Sequence, residues 1–397
     1  MRPPVSHVLD VTRLLSRVWR GYPATGIDRV GLAYVTRYAG EARALVRLGP
    51  YWAVLNGEDS ATLLTALAGW RRPNIGWIFC ALIRSLAASA ATTSWLLNVM
   101  HSGTESPTYS HRAKARGLTP CYLLHDLIPL THPEHCRDGE DRRHVERLRT
   151  MVCSGALLIT NSRDTAAQLA DYAGTQQWSL PPLLTAPLGV TALPTPTRRP
   201  HRRPYFLVLA TIESRKNHAL LLDVWMALIE QHPESATMLV VIGRRGWSAS
   251  AVLDRLDHCP ILKPHLQVVH DCDDVDLANW IAHAEALLYP SFVEGWGLPV
   301  AEALSFGVPV LASDLPVFRE VAGAVPEYLS ATDAGAWLAA VQDYASGSAR
   351  RAAQLRRLQT WRAASWEEHF RLVDAALRGE SKQDADGQCP LRMADAA

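Results

Sequence analysis

The feature that most restricts the fold is a regular alternation of short β-rich runs with helical patterns between residues 205 and 313. The strand-like runs are YFLVLA (205–210), MLVVIG (238–243), LQVV (266–269), ALLY (286–289) and VPVLAS (308–313). Helical patterns separate them at about 218–231, 274–284 and 298–306. Strands that alternate with helices of this length predict a parallel sheet with helices on both faces.

The upstream half repeats this theme, with strand candidates at 7–10, 42–48, 95–100, 121–125 and 157–160. Between the halves, TALPTPTRRPHRRP (191–204) is rich in proline and arginine, which is typical of an exposed linker. A chain of 397 residues is long enough for two domains of roughly 150 residues each. We therefore predict an α/β architecture of two Rossmann-like domains that face an interdomain cleft.

The predicted N-terminal domain covers residues 1–190 and the predicted C-terminal domain covers 205–378, with 191–204 as the linker. The last helical pattern runs from about 349 to 377, and the polar residues 379–397 are predicted to be a disordered tail. Ligands of open α/β sheets bind beyond the carboxyl ends of the strands. The chemistry is therefore expected in the cleft.

Charge and cysteine content exclude several kinds of protein. Forty basic residues against 39 acidic ones produce no broad electrostatic field that would attract nucleic acid. The seven cysteines form no C-x-x-C pair, which argues against a disulfide framework and a zinc ribbon. The first residues carry prolines and an aspartate where a signal peptide needs an apolar run. We expect a cytoplasmic protein with reduced thiols.

One long apolar stretch, residues 75–100, allows more than one interpretation. The favoured one is a buried helix followed by a strand that begins near Trp95, because the run is rich in Ala and Ser. The alternative is docking on a membrane surface through Trp77, Ile78 and Phe79, on the inner face of the plasma membrane. A complete transmembrane span is the least favoured interpretation.

Two adjacent cations, Arg215 and Lys216, lie in TIESRKN (211–217), between a predicted strand and the next helix. Cations at a helix N-terminus oppose the macrodipole, so the fold gains nothing from them there. A bound diphosphate would reverse that balance, and the two side chains would offset the charge on it as it leaves. The alternative is a solvated turn with Asn217 as the helix N-cap.

The segment SFVEGWGLPVAE (291–302) follows another predicted strand and enters a helix. Gly295 and Gly297 would let the backbone approach a ligand closely. Glu294 lies in the loop and Glu302 in the second turn of the helix, so the two carboxylates would meet different parts of an extended ligand. Vicinal hydroxyls of a ribose or hexose are suitable donors to a carboxylate, although either glutamate could instead be a surface residue.

Two upstream positions complete the candidate set. His125 ends an apolar strand in LLHDLIPL (123–130) and would contact a sugar in the cleft, or would be an ordinary core histidine. Gly26, in TGIDRV (25–30), opens a helix. Its loop would approach phosphates from the opposite wall, or would only cap the helix.

Together these segments resemble the retaining family 4 (group 1) glycosyltransferases, and especially bacterial mannosyltransferases of polysaccharide assembly. The resemblance is strongest over 205–321, in ESRKN, VVIGRRGW and YPSFVEGWGLPVAEALSFGVPVLASD, and extends upstream through HDLIPLTHPE, ITNSRDTAAQLADY and APLGV. It implies a GT-B fold, net retention at the anomeric carbon and domain closure over a nucleotide-sugar donor. It also implies no cofactor and no metal.

The resemblance gives the candidate residues specific roles. Arg215 and Lys216 would bind the diphosphate, and Glu302 the ribose. Glu294 would contact the donor sugar with the backbone of Gly297 and Leu298 nearby, and His125 would contact the sugar near its anomeric carbon. Two departures are Ala210, where the family commonly has glycine, and Thr25-Gly26, in place of a double glycine.

The leading hypothesis is a hexosyltransferase that transfers mannose from GDP-mannose to a lipid-linked saccharide in polysaccharide biosynthesis. An alternative is a catalytically silent GT-B protein that binds a nucleotide sugar or scaffolds an assembly complex. A GT-B epimerase is less favoured, because we find no suitable acid/base set in the sequence.

Overall fold

Two sheets organise the computed structural model, which describes residues 7–85, 94–154, 157–233 and 237–380. In the described residues, the strands of the first sheet are β1 (His7–Asp10), β2 (Ala42–Leu48), β3 (Tyr51–Val54), β4 (Ser94–Asn98), β5 (Leu118–Leu124), β6 (Leu157–Thr160) and β7 (Leu183–Thr185). Those of the second are β8 (Tyr205–Leu209), β9 (Met238–Ile242), β10 (Leu266–Val269), β11 (Leu287–Tyr289), β12 (Val310–Ser313) and β13 (Glu327–Leu329).

The helices follow the strands in alternation. Those of the first half are α1 (Thr12–Trp19), α2 (Gly26–Tyr38), α3 (Gly57–Ala68), α4 (Ile75–Ser85), α5 (Thr108–Lys114), α6 (Ile128–Thr131), α7 (Glu140–Cys153) and α8 (Arg163–Thr175). Those of the second are α9 (His218–Gln231), α10 (Ser250–His258), α11 (Asp274–Ala282), α12 (Leu298–Ser305), α13 (Pro316–Ala322), α14 (Ala334–Ala345), α15 (Ala349–Leu358) and α16 (Trp366–Leu377). Short 3-10 turns lie at Pro133–His135, Ser214–Lys216 and Lys263–His265.

The strand order is β3-β2-β1-β4-β5-β6-β7 in the first sheet and β10-β9-β8-β11-β12-β13 in the second. Every adjacent pair is parallel except β2 with β3. In the first sheet, β2 and β3 lie on one side of β1 and the later strands on the other. In the second sheet, β9 and β10 lie on one side of β8 and the later strands on the other. The sheets therefore have topological switch points between β1 and β4 and between β8 and β11. Such switch points are where open α/β sheets bind ligands, and the predicted α/β class with two Rossmann-like domains is confirmed.

The final helix crosses back to the first half of the molecule. Phe370 of α16 packs edge-to-face on Tyr34 and Tyr38 of α2, with ring centroids 5.0 and 5.7 Å apart. The Tyr38 hydroxyl donates to Asp374 at 2.6 Å, and Trp95 donates to the Leu377 carbonyl at 2.9 Å. The segment assigned to 205–378 by sequence thus includes a helix that lies on the N-terminal sheet.

The single helical pattern predicted over 349–377 is wrong, because it contains two helices, α15 and α16. Ser365 has extended backbone angles, and its side chain accepts a hydrogen bond from the Glu368 backbone N–H. An N-cap in that position begins a new helix. Residues 381–397, most of the predicted tail, lie outside the described residues.

Helix α4 is only half buried. Ile78 and Ala81 face the core, whereas the side chains of Ile75, Phe79 and Ile83 are 69, 64 and 52% exposed. Because residues four apart share one helix face, the outward face is this second set. The membrane-docking face predicted from Trp77, Ile78 and Phe79 is therefore wrong at Ile78, whose side chain is buried. Residues 86–93 lie outside the described residues, and no helix in the described ranges has the length and apolar character to cross a bilayer.

Candidate active site

The 3-10 turn after β8 and the loop after β11 meet at the switch point of the second sheet. Asn217 ends the turn in the left-handed region, with φ +53°. Its side-chain amide donates to the carbonyls of Pro290 at 3.2 Å and Ala331 at 2.8 Å. Asn217 is the N-cap residue of α9 but makes no side-chain capping bond. It instead fixes the turn that presents Arg215 and Lys216.

Both cations of this turn bind one carboxylate. Arg215 Nη1 donates to Glu294 Oε2 at 2.9 Å, and Lys216 Nζ donates to Glu294 Oε1. Lys216 also donates to the Tyr289 hydroxyl at 2.9 Å, and Ser291 Oγ donates to Glu294 Oε1 at 2.7 Å. The structure therefore brings three of the predicted site residues together.

A second carboxylate balances the charges. Arg215 Nε lies 2.6 Å from Glu213 Oε1, so two cations face two anions. Burial alone would raise the pKa of Glu294, yet Lys216 and Arg215 lower it to about 2. Burial, followed by the adjacent Arg215, lowers the pKa of Lys216. Burial raises the pKa of Glu213 despite its two cationic neighbours.

Two glycines of the 291–302 segment are required for different reasons. A Cβ on Gly295 would lie 2.3 Å from the His125 carbonyl oxygen, so this glycine allows the two halves of the molecule to approach each other. Gly297 has φ +108°, and a Cβ there would lie 2.7 Å from the Phe318 ring. At Gly295 the group that approaches closely is therefore the backbone of His125 and not a ligand. Gly297 permits the turn into α12, which begins at Leu298.

Glu302 lies buried in α12, apart from the Glu294 cluster. Its Oε1 is 3.4 Å from Arg29 Nη1, and Arg29 Nη2 is 2.8 Å from Asp274 Oδ1. Burial raises the pKa of Glu302, and Arg29 acts in the opposite direction. The N-terminal half thus reaches the carboxylate that the sequence resemblance assigned to ribose.

Gly26 begins α2 on the opposite wall of the cleft. An added Cβ would have Leu298 of α12 as its nearest neighbour, at 3.8 Å. Thr25 N–H donates to Asp28 Oδ2 at 2.8 Å, which caps the helix. The predicted helix cap is present, and the approach of this loop to phosphates stays a prediction.

The ring of His125 is buried, and its Nε2 lies 2.7 Å from the Val99 carbonyl oxygen. Burial lowers the pKa of His125, which favours a neutral ring. The ring therefore has a partner in the first sheet, as a core histidine does. Its carbonyl faces Gly295, and its contact with a sugar stays a prediction.

A cavity of about 730 Å³ lies between the two halves beside this cluster. Its walls combine polar and apolar side chains and include cations from both halves. The charged and aromatic lining residues include Arg13, Arg17, Arg20, Tyr22, His101, Asp126, Arg137, Glu140, His144, Arg147, Arg215 and Trp247. A space of this size accommodates a saccharide beside the cluster of Arg215, Lys216 and Glu294.

Several residues in contact with the predicted set have no role assigned from sequence, among them Arg29, Glu213, Tyr289 and Ser291. Each lies within or beside one of the quoted motifs. Glu213 and Ser291 follow strands β8 and β11, and Tyr289 is the last residue of β11. Position after a strand was therefore an available signal for Glu213 and Ser291. Arg29 carried no such signal, because its contacts cross between the two halves.

Residues 191–345 match the model of the family described as glycosyl transferases group 1. This part of the chain is therefore similar to the group 1 glycosyltransferases. The match contains the basic pair, both glutamates and the strands that carry them. Individual roles of the site residues stay predictions.

The curated relatives include mannosyltransferases. The serotype-specific mannosyltransferase WbdA of Escherichia coli is 29% identical over 248 residues, covering 56% of this chain and 29% of the relative. The O-antigen chain mannosyltransferase B of Escherichia coli is 34% identical over 259 residues, covering 62% of this chain and 66% of the relative. The chain thus spans under a third of the length of the first of these relatives.

Solved structures with this architecture show the GT-B fold. HepE from Anabaena, in complex with UDP, has a TM-score of 0.65 at 12% identity, with 94% of this chain and 99% of that chain covered. Sucrose-phosphate synthase from Thermosynechococcus elongatus has a TM-score of 0.63 at 16% identity, with coverage of 95% and 99%. The predicted GT-B fold is confirmed over nearly the whole chain.

Proposed function

We propose that this group 1 chain is a retaining glycosyltransferase that moves a hexose from a nucleotide-diphosphate donor to a saccharide acceptor. The observation that carries the proposal is the cluster of Arg215, Lys216 and Glu294 at the switch point of the second sheet. The cluster opens toward a cavity that both halves line. Cations held in a buried site are suited to stabilise the charge that develops on a departing diphosphate.

In the proposed reaction, the diphosphate binds to Arg215 and Lys216 and shares them with the carboxylates that neutralise them in the free protein. Glu294 orients the donor sugar, and Glu302 accepts hydrogen bonds from the ribose. The leaving phosphate takes the proton of the acceptor hydroxyl as that oxygen attacks the same face of the anomeric carbon. No protein base and no metal are needed for this sequence of bond changes.

We further propose mannose from GDP-mannose as the donor. Support comes from two relatives that are mannosyltransferases, WbdA and the O-antigen chain mannosyltransferase B. Isothermal titration of GDP and UDP into the protein tests which nucleotide the donor carries. We expect binding of GDP with a clear preference over UDP. A UDP preference would overturn the choice of donor, and binding of neither would overturn the transferase proposal.

Retention and metal independence need a separate measurement. We expect the anomeric configuration of the product, read by NMR, to match that of the donor sugar. Turnover should persist after dialysis against EDTA. An inverted product would exclude the front-face mechanism, and loss of turnover that Mg²⁺ or Mn²⁺ restores would contradict metal independence.

For the acceptor, we propose a lipid-linked saccharide presented at a membrane surface, on the cytoplasmic side. The outward face of α4 supports this, since Ile75, Phe79 and Ile83 are exposed. Arg71 and Arg72 are also exposed, just before the helix. An apolar face next to cations is typical of a helix that lies in an interface with anionic lipid.

Liposome flotation tests the membrane contact. We expect the parent protein to float with vesicles that contain phosphatidylglycerol, and Phe79→Ser/Ile83→Ser to remain at the bottom of the gradient. Ile261→Ser, which removes an exposed apolar side chain from the second half, is the matched control and should float. Equal flotation of all three proteins would exclude α4 as the contact.

A catalytically silent nucleotide-sugar-binding or scaffold protein is the second candidate. One observation favours it: both cations of the cluster are already neutralised by Glu213 and Glu294. It predicts donor binding without product. A screen of donors by mass spectrometry with crude lipid-linked acceptors separates the two candidates, because a new product of one added hexose appears only for the enzyme.

A further inference from the structure

Arg29 connects the two halves of the molecule at a single buried carboxylate. It lies in the first turn of α2, whereas its partners Asp274 and Glu302 lie in α11 and α12 of the second half. The fork of one guanidinium reaches both partners, with the shorter bond to Asp274. No motif of the second half includes this arginine.

The Glu302 carboxylate retains room for further donors. Its side chain is 6% exposed, and Arg29 is the hydrogen-bonding partner recorded for it in the described part of the chain. An ionised carboxylate offers about four acceptor positions. The 3.4 Å contact with Arg29 uses one of these positions, so the carboxylate has acceptor capacity left for two vicinal hydroxyls.

We propose that Arg29 is a positioning residue for the nucleotide: its guanidinium stays on Asp274 and Glu302 when ribose hydroxyls bind Glu302. It thereby orients that carboxylate and fastens the N-terminal half over the nucleotide. The inference rests on the proposed function, which assigns the ribose to Glu302. The inference identifies Arg29 as the residue that couples donor binding to closure of the two halves.

The charges around Glu302 agree with this role. Burial and the nearby Asp274 raise the pKa of Glu302, and Arg29 opposes them. Asp28, the neighbour of Arg29 in the chain, pairs instead with Arg13 and Arg17. Arg29 therefore pairs with Asp274 and Glu302 of the second half. Its removal would favour protonation of Glu302.

The test compares nucleotides with and without ribose hydroxyls. GDP and 2′,3′-dideoxy-GDP, or the UDP pair if the parent prefers uracil, are titrated calorimetrically into the parent, Arg29→Ala and Arg29→Gln. We expect both variants to bind the ribonucleotide about tenfold more weakly, within the usual range of coupling between sites. The dideoxynucleotide should bind all three proteins equally, because it makes no use of Glu302.

Arg37→Ala is the matched control. Arg37 lies on the same helix and pairs with Asp374 of α16 at 2.7 Å, so its loss removes an ion pair of α2 far from Glu302. We expect this variant to bind both nucleotides as the parent does. The Arg29→Gln variant keeps most of the side-chain length and makes the test independent of how well Arg29→Ala folds.

A pH series adds a readout that a general loss of structure would not produce. Ribose-dependent binding requires ionised Glu302, so it is lost as pH falls through the pKa of that group. Without Arg29 this pKa is higher, and the loss should begin at a higher pH than in the parent. Asp274 faces the same group, and Asp274→Asn should move the onset to lower pH.

The outcomes separate the two levels of the proposal. A parent protein that binds no nucleoside diphosphate refutes the proposed function itself. A parent that binds normally, with variants that bind the ribonucleotide equally well, refutes only the role of Arg29. Equal weakening of the ribonucleotide and the dideoxynucleotide also refutes it, since the effect would not pass through the ribose contact.

Discussion

At the scale of single residues, the buried ionic cluster has the largest energetic consequence. Lys216 and Glu294 are both almost fully buried, and removal of one member of a buried pair leaves an uncompensated charge that costs about 3–5 kcal/mol. The hydroxyls of Tyr289 and Ser291 bind the same two side chains, which reduces the cost of burying them. Such a cluster is suited to a site where a bound diphosphate replaces a carboxylate as the partner of the cations.

Lys216→Ala tests the role of this cluster in turnover. We expect the rate to fall about 10²–10³-fold, because one cation that stabilises the leaving diphosphate is lost. The measurement is kcat for hexose transfer, with Lys263→Ala, an exposed lysine of the same half, as the control. An unchanged rate would remove the diphosphate role from Lys216.

Glu294 should make stability depend on acid pH. Its pKa is lowered in the fold from 4.5 to about 2, so its contribution is complete above the unfolded pKa and is lost as pH falls toward the folded one. We expect the urea midpoint of the parent to drop over this window more than that of Glu294→Gln. A constant difference between the two proteins from pH 6 to pH 2 would contradict this assignment.

At the scale of elements, the start of α12 combines a special turn with close packing. Gly297 has a positive φ of +108° next to Phe318, and α12 carries Glu302 in its interior. Pro299 lies in the first turn, where its missing N–H costs no helical hydrogen bond. The direction of the helix, and with it the position of Glu302, depends on this turn.

Gly297→Ala should destabilise the protein by about 1–3 kcal/mol, since a side chain is strained at that backbone conformation and would also collide with Phe318. Urea unfolding measures the change. Gly174→Ala is the control, because Gly174 is in helix α8 with no atom within 4 Å of an added Cβ. Alanine there should be neutral or slightly stabilising. Equal stability of the two variants would contradict the strain at Gly297.

At the scale of the whole molecule, the two halves are joined by more than the linker. Helix α16 lies on the first sheet, Arg163 and Asp164 N–H groups donate to Glu320 of α13, and His135 stacks on Phe292 with centroids 5.3 Å apart. The two halves are therefore in direct contact at several places.

Phe370→Ala tests the attachment of α16. The ring is buried against Tyr34 and Tyr38, and we expect its loss to lower the free energy of unfolding by about 3–5 kcal/mol. Phe79→Ala, at an exposed phenylalanine of α4, should change it little. If the two variants unfold at the same urea concentration, α16 does not stabilise the first half.

The sequence by itself determined the strands and the residues that follow them. The ranges 7–10, 42–48, 157–160, 266–269 and 218–231 agree with the structure to the residue, because apolar periodicity is a local property of the chain. The basic pair and both glutamates could be selected for the same reason, since each stands after a recognisable strand. The edge strands β3, β7 and β13 are short and gave no comparable pattern.

Only the tertiary structure decided which of these residues meet. Arg215 and Glu294 are paired across 79 residues of sequence, and Arg29 and Glu302 across 273. The return of α16 to the first sheet and the approach of Gly295 to His125 likewise join distant segments. Such contacts depend on strand order and on the packing of one half against the other, and no local pattern of residues encodes either.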